Sequence, residues 1–227
     1  MQVFCDFDGT ISKEDVTDLV LERFARPQWH EIEDLWADGK ITSAQCMQRQ
    51  IRLIDATYDQ LNAFLDTVEI DSDFVGFKQF CDMNELALSV VSDGVEYFIR
   101  RVLRRHGLSD IPVIANRLVT APDSGESAFD LKFPLMGGAC AAGSGVCKCA
   151  VVSSPNEHIY IGDGRSDFCV SNEAMVVFAK AKLADYCRSQ RIAFFPYDSF
   201  ADIQRSVAAI ISSPSPQRFA LSVAQSA

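Results

Sequence analysis

The sequence predicts an α/β fold, a doubly wound parallel sheet into which an all-helical segment is inserted. Three observations carry this reading. Short apolar runs that finish in acidic and glycine residues recur at 2–7, 86–91 and 158–161, the pattern of buried parallel strands whose carboxyl ends open onto a site. Stretches of helical periodicity alternate with them. Between the first two runs, from Lys13 to about Val68, the periodicity is helical throughout.

Taken in order, the chain opens on a strand over 2–7. In the insertion, Val16, Leu19, Val20 and Phe24 share one stripe and Ile32, Leu35 and Trp36 the next. Phe74, Phe77 and Phe80 mark an amphipathic helix, and 86–91 a second strand that ends in the turn Ser92-Asp93-Gly94. Val95, Phe98, Ile99, Val102 and Leu103 predict the helix that follows, with Gly107 at its C-terminal end. Residues 111–115 read as a strand, and the alternation of Phe129, Leu131 and Phe133 beside the turn-rich 122–126 reads as a small hairpin. Strands at 158–161 and 175–178 complete the sheet. The expected division is a core of 1–12 and 72–212, a helical cap of 13–71 and a frayed tail of 213–227.

With 227 residues, 48% hydrophobic and 23% charged, the chain has the composition of a globular protein with a substantial core. Its 21 basic and 31 acidic residues give a net charge of -10 without a basic run, which argues against nucleic acid as a partner. No window reaches the roughly 20 apolar residues that span a bilayer, and the opening residues lack the character of a signal peptide. A cytoplasmic protein with no membrane partner is the expectation, and its eight cysteines are then free or buried thiols. The oligomeric state is not legible. Cys140, Cys147 and Cys149 bracket Lys148 as C-x₆-C-x-C; a zinc site completed by His158 and reduced thiols lining a glycine-rich loop are both open readings.

Four groups at strand ends carry chemistry: Asp6-Phe7-Asp8-Gly9-Thr10, Ser92-Asp93-Gly94, Lys148, and Gly162-Asp163-Gly164-Arg165-Ser166-Asp167. Singly each has a plain structural reading, since Asp8-Gly9 fits an ordinary turn, Lys148 a solvated charge and Ser92 a helix N-cap. Together and in this order they resemble the four motifs of the haloacid dehalogenase superfamily, and the position of the helical insertion resembles its phosphoserine-phosphatase branch. Within that branch, Cys5 to Ile11, Phe24-Ala25-Arg26-Pro27-Gln28-Trp29 and Pro196-Tyr197 with Phe200 are similar to the methionine-salvage phosphatases.

The resemblance implies a Mg²⁺-dependent hydrolase of a small-molecule phosphomonoester. Asp6 would be the nucleophile that becomes an aspartyl-phosphate, and Asp8 the general acid and base. Thr10, Ser92, Asp93, Gly94 and Lys148 would hold the phosphate. Asp6, Asp8 (through its main-chain carbonyl), Asp163 and Asp167 would hold the metal. Asp15 stands where phosphoserine phosphatases carry an ammonium-binding Glu, and Gln50 near their carboxylate-binding Arg; with Arg49 these are the candidate specificity residues of the cap. Phosphoserine hydrolysis, phosphotransfer to an alcohol, and ligand binding without catalysis are the alternatives.

Overall fold

A computed structural model of the chain describes residues 1–120, 129–136, 143–152 and 158–213. In chain order the first elements are β1 (Gln2–Cys5), α1 (Val16–Phe24), α2 (Trp29–Ala37), α3 (Ser43–Ile51), α4 (Tyr58–Leu65) and α5 (Phe74–Met83). Then come β2 (Ala87–Val95), α6 (Glu96–Arg105), β3 (Val113–Thr120), β4 (Phe129–Lys132) and α7 (Lys148–Val152). The last are β5 (His158–Gly162), β6 (Val176–Ala179), α8 (Ala181–Gln190), β7 (Phe195–Pro196) and α9 (Phe200–Ile211). The strands follow the order β4-β3-β2-β1-β5-β6-β7. This is the expected α/β sheet: β2, β1, β5, β6 and β7 run parallel, and β4 lies antiparallel on β3.

The chain divides into two compact units. The first comprises Met1–Lys13, Glu69–Val91 and the chain from Lys148 onward. Its centre is β1, paired in parallel with β2 (Cys5 beside Val90) and with β5 (Cys5 beside Ile161). A strand flanked on both sides has no edge to solvate, and Val3, Cys5 and Ile161 are fully buried, as are Phe74, Phe77 and Phe200 where α5 meets α9. The Phe74 and Phe200 rings meet edge to face with centroids 4.7 Å apart.

The second unit comprises Glu14–Val68 and Ser92–Cys147. Its four N-terminal helices fall within the segment read as helical throughout, the first two on the stripes of Val16–Phe24 and Ile32–Trp36. Asp15 caps α1 by accepting the Asp18 N–H (3.0 Å), and Thr42-Gln45 and Thr57-Gln60 form reciprocal capping boxes on α3 and α4. The amphipathic α6 buries Phe98, Ile99, Val102 and Leu103, and Gly107 follows it with φ +75°, a left-handed conformation that glycine adopts without a Cβ penalty. Arg101 grips Asp66, just past α4, with two hydrogen bonds (2.7 and 2.5 Å), and Arg52, just past α3, grips Asp130 of β4 likewise (3.0 and 2.8 Å). These ties explain why residues 14–68 group with 92–147.

Two boundaries differ from expectation. Ser92-Asp93-Gly94 is not a turn: β2 runs through it to Val95, although Ser92 Oγ accepts the Gly94 N–H (2.8 Å), a local bond that favours turns. The strand expected at 111–115 lies instead at Val113–Thr120, paired antiparallel with β4 over Arg117 to Thr120. The expected turn at 122–126, Cys140 and all but the first residue of the expected tail lie outside the described residues. Among the described residues no helix is long and apolar enough to cross a membrane.

Candidate active site

The loop after β1 is built around one buried residue. Phe7 is fully buried, and its carbonyl accepts the N–H groups of Thr10, Ile11 and Ser12 (3.2, 2.9 and 3.0 Å) and the Ser12 hydroxyl (3.0 Å). This convergence turns the chain back on itself directly after Asp6 and leaves Asp8 half-buried at the bend. Gly9 sits in the turn with φ +69°, and a Cβ there would lie 2.7 Å from Asp163 Oδ2. Glycine is required by backbone conformation and by crowding alike.

Asp6 is 4% exposed. Its Oδ1 accepts the Phe7 N–H (2.7 Å), and its Oδ2 pairs with Lys148 Nζ (2.8 Å), which also donates to Asp167 Oδ1 (2.7 Å) and Ser166 Oγ (2.9 Å). Asp167 is completely enclosed and takes further hydrogen bonds from Tyr160 Oη (2.6 Å) and from the N–H groups of Asp163 and Gly164 (3.0 and 2.9 Å). A Cβ on Gly162 would lie 2.5 Å from Asp167 Oδ2, so glycine there is what lets the carboxylate reach its donors. Thr10 Oγ1 donates to Asp163 Oδ1 (2.6 Å).

The electrostatics separate the two buried acids. Burial pushes the Asp6 carboxyl well above the ordinary range, the charge of Asp167 adds to this, and Lys148 opposes it. Asp167 is equally buried, yet Lys148, Tyr160 and the backbone donors outweigh burial and hold it below the ordinary range. Burial works against the Lys148 ammonium, but Asp167 and Asp6 dominate and raise its pKa. Asp163 is raised chiefly by burial. One lysine thus stands against three carboxylates, and Asp6, Asp163 and Asp167 each bring an oxygen within 4.8 Å of the others. A set of oxygen donors with surplus negative charge fits a hard cation.

In the second unit Asp93 joins several elements. Its carboxylate accepts Ser43 Oγ (3.0 Å) and the Val146 N–H (3.0 Å), while Asn116 Nδ2 donates to its main-chain oxygen (2.5 Å). Asp15 spends a carboxylate oxygen on the cap of α1. Gln50 is buried and donates to Glu33 Oε2 (2.8 Å) and the Trp29 carbonyl (3.5 Å), binding α3 to α2. Arg49 is exposed on α3.

Sequence reasoning identified Asp6, Asp163, Asp167 and Lys148, which the structure gathers, together with Thr10. It missed Tyr160, Asn116, Ser43 and Glu33. A tyrosine inside a buried apolar strand and an asparagine inside the run Val113–Thr120 are the signals that could have found two of them, since buried polar groups need partners.

Residues 1–181 match the family described as putative phosphatase, and the chain belongs to that family. It is 30% identical over 212 residues to the 2-hydroxy-3-keto-5-methylthiopentenyl-1-phosphate phosphatase of Bacillus mycoides (strain KBAB4), covering 89% of this chain and 94% of the relative. A Bacillus cereus (strain 03BB102) protein of the same name is 30% identical over 211 residues, covering 90% and 94%. Among solved structures, a phospho-aspartyl intermediate analogue of phosphoserine phosphatase superposes with a TM-score of 0.65 at 16% identity, over 92% of this chain and 97% of that one. A had family hydrolase from Salmonella enterica serovar Typhi gives 0.68 at 20% identity, over 88% and 68%. At such identities these structures speak for the fold.

Proposed function

We propose that the chain hydrolyses a small phosphomonoester through a phosphorylated Asp6, that Mg²⁺ is its metal, and that 2-hydroxy-3-keto-5-methylthiopentenyl 1-phosphate is its substrate. The observation that carries this is the buried Asp6 carboxylate, held at 2.8 Å by Lys148 inside a cluster of three acids. The Asp6 and Asp163 carboxylates and the Asp8 carbonyl would hold the metal, with Asp167 assisting. Asp167 already accepts hydrogen bonds from two side chains and two backbone N–H groups, so Lys148 is its main charge. When bound, the cation supplies positive charge to the phosphoryl oxygens and keeps Asp6 ionised.

An Asp6 carboxylate oxygen attacks phosphorus as the ester P–O bond breaks. The departing alkoxide takes a proton from Asp8. Asp8, now a carboxylate, removes a proton from water as that water attacks the phosphorus, which releases inorganic phosphate and restores Asp6. Lys148 holds Asp6 in line and offers charge to the phosphate. Ser92 and the Asp93 and Gly94 backbone follow the end of a β2 segment paired beside β1, and with Thr10 they are the remaining phosphate ligands of this reading. Ser92 Oγ accepts the Gly94 N–H, so in this reading the Gly94 N–H would have to turn from Ser92 to reach the phosphate.

Specificity resides in the helical segment, in Asp15, Arg49 and Gln50. Gln50 brings no charge and its amide is engaged by Glu33, while Asp15 is shorter than a Glu; this supports a neutral keto or polyol chain over an amino-acid zwitterion, whose carboxylate would find no charge at Gln50. The test is kcat/KM for the keto-pentenyl phosphate against phosphoserine, with and without an added acceptor alcohol. Preference for the keto substrate with release of inorganic phosphate is expected. Preference for phosphoserine would overturn the substrate, transfer to the alcohol would indicate a phosphotransferase, and absence of turnover a binding protein.

A further inference from the structure

The second unit carries a cavity that the proposed chemistry does not use. It lies between α6 and the start of β3 and has a volume of about 370 Å³, within the range of small-molecule sites, roughly 300–1,000 Å³. Its floor is apolar: Leu103, Leu108 and Ile111 are at most 4% exposed, and Val113 extends the wall. One side is closed by Tyr97, whose hydroxyl donates to Asn62 of α4 (2.8 Å), which fixes the ring beside the opening.

Three arginines edge this floor in a protein of net charge -10. They are not equivalent. Arg101 is committed to Asp66 by a two-point contact. Arg100 pairs with Glu96 (2.7 Å), but its side chain is 48% exposed, and such exposed pairs contribute little and rearrange readily. Arg104 is exposed, and among the described residues no carboxylate pairs with it. Arg100 and Arg104 are one helical turn apart, so their guanidinium groups can close on the same anion. Guanidinium forks match phosphate oxygens two at a time.

We infer that this groove binds a small organic phosphate, with its apolar body on Leu103, Leu108 and Ile111 and its phosphate between Arg100 and Arg104. The inference is independent of the catalytic reading, because none of these residues belongs to the proposed chemistry.

Phenylphosphonate is the probe, since its C–P bond is not a phosphomonoester bond, and chelator keeps cations from recruiting it to the carboxylate cluster. Calorimetric titration of the full chain should show saturable binding, with the methyl resonances of Leu103, Leu108 and Ile111 shifting along the titration. Arg100→Gln/Arg104→Gln should weaken binding about tenfold or more while leaving phosphatase activity unchanged, which also reports that the variant folds. Lys148→Met should leave the binding in place, and methylphosphonate, which lacks the apolar body, should bind more weakly. Binding that survives the double substitution, or is lost with Lys148→Met, would overturn the inference. So would methyl shifts confined to other parts of the chain, or a dimerisation abolished by the double substitution without any phosphonate binding, which would give the groove to a second copy of the chain.

Discussion

Asp6 is the residue on which opposing forces meet: burial and the charge of Asp167 favour its protonated form, and Lys148 favours the carboxylate. As the proposed nucleophile it must be ionised, which is why the cluster calls for a cation beyond one lysine. Asp6→Asn is expected to abolish turnover with the fold intact, checked by steady-state assay alongside circular dichroism. Asp8→Asn should lose roughly 10²–10⁴-fold by removing general acid–base catalysis, and single-turnover quenching should show both formation and breakdown of the intermediate slowed. Gly9→Ala tests the crowding: the left-handed backbone costs about 1–2 kcal/mol, and the new Cβ must displace Asp163. A lowered melting temperature and a higher Mg²⁺ concentration for half-maximal rate are expected together. At this scale Asp6, Lys148 and Asp163 were legible because acids and a lysine recur at strand ends in a set order. Gly162 was legible only as part of a motif, because its need arises from the Asp167 carboxylate folding back against it.

At the scale of elements, α9 shows how a cap creates a pH dependence. Asp202 accepts the N–H groups of Ser199 and Asp198 (both 3.0 Å), and these donors hold its carboxyl below the ordinary range. A carboxyl whose folded pKa lies below its unfolded one stabilises the fold above the unfolded value, about 3.9, and that contribution fades as pH falls through the folded value. Asp202→Ala should therefore cost about 1 kcal/mol near neutrality, with the difference from the parent shrinking below pH ~4; urea titrations at pH 7 and pH 3 check this. α1, α2, α5 and α6 were readable from their apolar stripes, whereas α9 was not read from the sequence. The end of β2 was not, since Ser92, Asp93 and Gly94 are turn formers by composition, yet β2 continues through them to Val95. Asn116 and Arg117 interrupt the apolar run of β3, which hid its length, and β7, two residues long, is too short to leave a pattern.

For the whole molecule, α/β class and phosphatase chemistry followed from the order of motifs, but the grouping of 14–68 with 92–147 did not. It depends on pairings such as Arg52 with Asp130 and Tyr97 with Asn62, far apart in sequence. A net charge of -10 repels anions in general, so on the proposed reading Lys148 and the metal would make the site a local exception. Activity should vanish in chelator and return with Mg²⁺, and Lys148→Ala should damage catalysis far more than Lys40→Ala, Lys40 being an exposed partner of Asp38; initial rates decide both. The central claim is the covalent one, and it is tested most directly by acid-quenching the enzyme during turnover of a ³²P-labelled phosphomonoester and mapping the label by peptide. The account predicts a hydroxylamine-sensitive acyl phosphate on the peptide containing Asp6, absent from Asp6→Asn. Label on another residue, or full turnover by Asp6→Asn, would contradict it.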